Sequence, residues 1–116
     1  MKHSSTDSGA YGEQIAAEYL VDLGYEIIAR NYRRPHCEID IIARRDDVLY
    51  FVEVKYRRTN GYGDGLSYVT PAKVLHMQRG AQSWVTSHGY SGEYCLSAIA
   101  VEGDDYTVTS FIESVY

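Results

Sequence analysis

Apolar residues recur at helical spacing early in the chain. Ile15, Ala16, Tyr19, Leu20 and Leu23 predict a helix over residues 9–23, with Gln14, Glu18 and Asp22 on its solvent side. Gly24 follows, a common residue just past a helix end. Glu13 falls at the edge of the apolar arc, near Ala16 and Leu20. A carboxylate covered there needs a partner or a cation. Beyond Gly24 the period changes to two, and strands are predicted over residues 25–32, 38–43 and 48–56. A turn is expected at Arg34 and Pro35, and a short hairpin loop over residues 44–47. Thr70 and Pro71 form a helix start, an N-cap followed by proline. Val74, Met77, Ala81, Trp84 and Val85 then continue as a second amphipathic helix, with Trp84 in the core. Residues 95–101 and 106–112 read as a closing hairpin across 102–105. The order is helix, three strands, helix, two strands. It predicts an α/β fold of the α+β mixed-sheet kind, one sheet with two helices covering its faces.

The length of 116 residues is that of one domain, expected over residues 9–116 behind a flexible stretch at 1–8. Hydrophobic residues make up 45% and charged residues 23%, the balance of an ordinary globular chain. No apolar run approaches the roughly 18 residues of a membrane span, and the first residues lack the apolar region of a signal peptide. The expectation is a cytoplasmic protein with no membrane partner. Cys37 and Cys95 stand in no metal-ligand spacing and are expected as reduced thiols; His36 beside Cys37 has no second pair to complete a zinc site. The net charge of −5 argues against nucleic-acid binding when averaged over the chain. Its distribution changes that picture. Residues 30–58 carry eight Lys or Arg against five acids, a net +3, whereas the chain from Ala81 onward has five acids and no Lys or Arg. A local phosphate-facing surface is therefore expected around Arg33, Arg34, Arg57 and Arg58. Lys73 and Arg79 on the second helix either meet the phosphate backbone or form a solvated face. Tyr62, among the glycines of residues 61–65, is a candidate for stacking on a base from a closing loop.

The candidate chemistry lies in Glu38-Ile39-Asp40 and Phe51-Val52-Glu53-Val54-Lys55. Alternation puts Leu49, Phe51, Glu53 and Lys55 on one face of the strand, and Val48, Tyr50, Val52, Val54 and Tyr56 on the other. With the hairpin centred between Arg45 and Asp46, Asp40 pairs near Phe51. Glu53 is then its diagonal neighbour on the same face, roughly 7–8 Å away. A slip of one residue would separate the two acids. Carboxylates at that distance can share Mg²⁺ or Mn²⁺, which neutralises phosphate charge and activates water. The Val54 carbonyl is a further oxygen donor. Lys55 can orient the water, deprotonate it, or stabilise charge in the transition state. A solvent-face Glu53–Lys55 ion pair is the plain alternative.

These residues also carry a family resemblance. Gly12-Glu13, Ala16, Leu20, Gly24-Tyr25, Arg30-Asn31-Tyr32, Glu38 to Ala43, Phe51 to Lys55, Thr70 and Lys73 resemble the pattern of the YraN-like family of uncharacterised bacterial proteins. That family is similar to PD-(D/E)XK nucleases, above all archaeal Holliday-junction resolvases. The resemblance implies a restriction-endonuclease-like αβββαβ core. It implies that Asp40 and Glu53 hold the metal, Lys55 is catalytic and Glu13 supports the site from the first helix. The resemblance supplies no substrate; taken with the candidate site, the leading expectation is a Mg²⁺/Mn²⁺-dependent endonuclease acting on DNA, branched DNA included. The resemblance does imply a homodimer, for which the twelve tyrosines offer interface material. Cys37 stands where a glycine usually precedes the Glu-Ile-Asp run, and Cys95-Leu96-Ser97 where relatives carry Arg-Phe-Asp. Together with the negative net charge, these departures keep a second reading open: a non-catalytic nucleic-acid- or protein-binding module on the same fold.

Overall fold

Two-residue periodicity in the middle of the chain becomes a meander, and the two helical segments close over it. The computed structural model describes residues 5–58 and 69–115. The elements run α1 (Ser5–Asp22), β1 (Glu26–Arg34), β2 (Cys37–Arg45), β3 (Val48–Arg57), α2 (Pro71–His88), β4 (Glu93–Glu102) and β5 (Thr107–Ile112). All five strands form one sheet in the order β1-β2-β3-β4-β5. Neighbours are antiparallel except β3 and β4, which run parallel because α2 carries the chain back between them. This mixed α+β architecture, a five-stranded mixed sheet flanked by two helices, is the predicted one and is compatible with a restriction-endonuclease-like core.

The helices lie on opposite faces. Ala16, Ala17 and Leu20 of α1 pack against Ile41, Ala43, Tyr50, Val52, Ile99 and Val101. Met77 and Ala81 of α2 pack against Ile39, Ile42, Leu49, Phe51 and Leu96. Strand β3 is thus buried on both sides, which is why it reads as a nearly continuous apolar run from Val48 to Val52. Glycines bring the helices close. A side chain at Gly12 would meet the Tyr56 Cβ at 3.0 Å, and one at Gly80 would meet Ile39 at 3.0 Å. Trp84, expected in the core, is only partly buried: it packs on Phe51 from the core's edge, with ring centroids 5.9 Å apart. Helix α2 begins as predicted, with the Thr70 hydroxyl accepting from the Lys73 N–H and Pro71 in the first turn. Helix α1 starts earlier than expected, at Ser5, and ends before Leu23, which is exposed.

The hairpin between β2 and β3 differs from its predicted register. Arg45 pairs with Val48, so the turn is centred between Asp46 and Asp47, whose φ values of 54° and 65° give the two left-handed positions of a type I′ turn. Expectation centred it one residue earlier, which moves the partner assigned to each β2 residue by two. The parity of the faces survives a shift of two. Residues 61–65 and Tyr62 lie outside the described residues. Among the described residues, no helix is long and apolar enough to cross a membrane.

Candidate metal-binding site

Strands β2 and β3 pair from Arg45–Val48 as far as Ile41–Val52 and then stop, although both strands continue. Asp40 and Glu53 are the next residue on each strand beyond the last pair. In place of a backbone acceptor, the Asp40 carboxylate takes the Val54 N–H, with Oδ2 at 2.8 Å. The N–H and C=O of one strand residue point to the same edge, so the Val54 carbonyl faces this gap as well. The opening of the ladder is therefore the structural origin of the site.

Alternation on β2 fails at the same place. Ile39 and Ile42 both pack on the α2 side, where strict period two would separate them. On β1, Asn31 stands between the pairs Arg30–Ile41 and Tyr32–Ile39 and takes a φ of 55°. Asp40 lines a cavity of about 310 Å³ on the α1 side, together with Glu13, Arg30, Asn31, Arg33, Val54 and Tyr56. Glu53 instead lines a small recess on the α2 side with Glu38, Phe51 and Met77. The expectation that both acids share one face is thus corrected: they flank the gap from its two sides, because the irregularity at Asn31 and Asp40 interrupts the period on which that expectation rested.

The acids still feel one another. Burial pushes the Asp40 carboxyl up, and the Glu53 charge adds to the shift; the Val54 hydrogen bond opposes it, and Glu13 and Glu38 add further repulsion. The result is a carboxyl raised to about 7 from its ordinary 3.8. Glu13, at the edge of the apolar arc of α1, is buried and pairs with Arg30 at 3.2 Å, the partner a covered carboxylate needs. Glu53, with its side chain 15% exposed, pairs with the Lys73 ammonium at 3.0 Å. Lys55 follows Glu53 by two residues on β3 and is exposed.

Carboxylates and a backbone carbonyl are hard oxygen donors suited to Mg²⁺ or Mn²⁺, and the repulsion that raises Asp40 is what a cation would relieve. The donor chemistry therefore fits such an ion. Among the described residues, no three His, Cys, Asp or Glu side chains converge into a metal-holding group, since Glu13 and Glu53 turn toward Arg30 and Lys73.

The residues expected to meet phosphate are engaged with acids or a ring. Arg33 pairs with Glu38 at 2.6 Å, Arg57 with Glu102 at 2.6 Å and Arg58 with Asp104 at 3.5 Å. Arg34 lies over the Tyr32 ring at 4.5 Å. Lys73 is half-buried and paired with Glu53 beside the gap rather than on a solvated face. Pairs as exposed as those of Arg33 and Arg58 are weak and exchangeable for phosphate. Arg57 is different: its partner Glu102 is buried, and that acid carried no signal in the sequence because its burial depends on β4 lying beside β3. Ser97 is also fully buried and donates to the Glu113 carbonyl, so it anchors the C-terminal segment. Both cysteines are free thiols and partly buried, as expected.

Residues 12–101 match the Uncharacterised protein family UPF0102. A UPF0102 protein of Dehalococcoides mccartyi is 41% identical over 88 residues, 76% of this chain and 73% of the relative. One from Geobacter sulfurreducens is 46% identical over 87 residues, 75% of this chain and 68% of its own. One from Wolinella succinogenes is 36% identical over 111 residues, 96% of this chain and 97% of its own.

Proposed function

The chain belongs to the uncharacterised protein family UPF0102, and from that membership and the geometry of the β2–β3 gap we propose that it is a divalent-cation-dependent endonuclease acting on DNA, branched DNA included. The observation that carries this reading is the end of the β2–β3 ladder, where Asp40, Glu53 and the Val54 carbonyl border one opening beside Glu13. In this reading Asp40, Glu53 and the Val54 carbonyl hold Mg²⁺ or Mn²⁺, with Glu13 completing or orienting the set. A bound divalent ion supplies neutralisation of phosphate charge and a more acidic water. Asp40 is held in place by the Val54 N–H. Arg33, on the cavity wall, meets the phosphate after leaving Glu38. Lys55, exposed on β3, would orient the attacking water or stabilise the developing charge in this reading.

Calorimetric titration of Mn²⁺, paired with cleavage assays on branched and linear duplex DNA, tests the proposal. Mn²⁺ binding and cleavage that both vanish in Asp40→Asn and Glu53→Gln, with folding intact, support it. Cleavage retained in Glu53→Gln would reject the mechanism. The specific observation favouring a non-catalytic binding module is the pairing of four of the five expected phosphate-binding residues with acids. That reading requires DNA or protein binding that is indifferent to Mn²⁺ and to Glu53→Gln.

A further inference from the structure

Lys73 breaks a local rule. Thr70 caps α2, and the third residue of the first turn is where a glutamate or glutamine usually returns the cap's hydrogen bond. Here that position is a lysine, and the first turn holds no acid. A cation at a helix N-terminus faces the positive end of the helix dipole and is locally unfavourable. Residues that contradict their local setting mark places where something else is being served. What Lys73 serves lies on its own face of the sheet: its ammonium is 3.0 Å from Glu53, with the two side chains 33% and 15% exposed. The helix that carries it cannot drift, because Gly80 brings α2 into close contact with Ile39 of β2, and Met77 is buried.

Resting on the proposed cation site, we infer that Lys73 is a positioning residue, a built-in counter-cation that holds Glu53 at the gap and competes with the divalent ion for it. Lys73 keeps the Glu53 carboxylate ordered when no other cation is near, so that Asp40 faces a partly neutralised acid across the gap. When a divalent ion takes Glu53, Lys73 has to release it. Affinity for the ion is thereby set below what the acids alone would give, and it depends on the salt that screens the pair.

The test is Mn²⁺ calorimetry on the full chain at low and high salt, using the wild type, Lys73→Met, Lys73→Arg and Glu53→Gln. The expected result is binding about three- to tenfold tighter in Lys73→Met than in the wild type. Lys73→Arg should stay near the wild type, and the gap should narrow at high salt. Lys73→Gln gives the same readout should the methionine variant not fold. Unchanged or weaker binding in Lys73→Met, alongside wild-type binding that Glu53→Gln abolishes, would overturn this inference and leave the cation site standing. No Mn²⁺ binding in any of these proteins would overturn both.

Discussion

The two helices approach the same gap with opposite charges. Helix α1 brings a buried carboxylate, Glu13, to a strand arginine, Arg30; helix α2 brings an ammonium, Lys73, to a strand carboxylate, Glu53. Both pairs are cross-element contacts, and both compensate charge within their own face. Asp40, between them, has a backbone N–H as its hydrogen-bond partner. Charge compensation is therefore local on each side and incomplete in the middle. Burial raises the Asp40 carboxyl pKa first, and the charge of Glu53 adds to it.

The comparison breaks most directly at the chemistry. Under the proposed function, Glu53→Gln and Asp40→Asn should each lower Mn²⁺-dependent DNA cleavage by about 100-fold or more, measured as initial rates at fixed protein concentration. Loss in one variant alone would mean that only one side of the gap holds the ion. The packing beneath the pairs comes next. Leu20 is fully buried under α1, and Leu20→Ala should cost about 2–5 kcal/mol in urea unfolding. A smaller loss would show that the α1 face tolerates collapse.

Asp40 itself makes the comparison depend on pH. Its folded pKa of about 7 lies above the ordinary 3.8, so the folded state binds the proton more tightly. The associated stability is fully present below about pH 4 and is lost as pH rises toward 7 and through it. Relative to Asp40→Asn, the wild type should lose up to about 4 kcal/mol between those limits. Thermal melts of both proteins from pH 4 to 8 check this, and curves that stay parallel would remove the strain assigned to the middle of the gap. Breaking the α1-side pair with Arg30→Gln should cost about 1–2 kcal/mol, because Glu13 is left buried without its cation. Lys73→Ala should show the smallest stability effect, within about 1 kcal/mol, since losing the Glu53 pair is offset by relief at the helix start. An effect on stability larger than that of Arg30→Gln would reverse the assignment of which pair is structural.

Much of this was legible along the chain. Apolar positions at helical spacing placed Glu13 at the buried edge of α1. Alternation separated Val48, Tyr50, Val52, Val54 and Tyr56 from Leu49 and Phe51, and the two sets pack on different helices. The register was missed because Arg44 and Arg45 look like loop residues but extend β2, and the turn rests on two aspartates that accept positive φ. The faces of Asp40 and Glu53 were missed for a different reason. Period two holds only while backbone geometry is regular, and Asn31 is a residue whose left-handed conformation its own type permits but does not announce. The partners of Lys73 and Arg57 were out of reach because they depend on contacts between distant elements. One signal for Lys73 was nevertheless present, in the lysine at the third position of a Thr-capped helix.

The mixed sheet also sets an order of assembly. The β1–β2–β3 meander closes through two tight turns, Pro35-His36 and Asp46-Asp47, whereas β4 joins β3 only after α2 has crossed over. Contacts between near neighbours in sequence form sooner than those that require a long loop to close. Asp40 and Glu53 are therefore brought together by the fast, local part of the fold, and Lys73 reaches them with the slow part. During folding the acids meet before their counter-charge arrives. Under the proposed cation site, a divalent ion present at that moment would meet the carboxylates before Lys73 does, so refolding with and without Mn²⁺ should differ in rate even where the final structures agree.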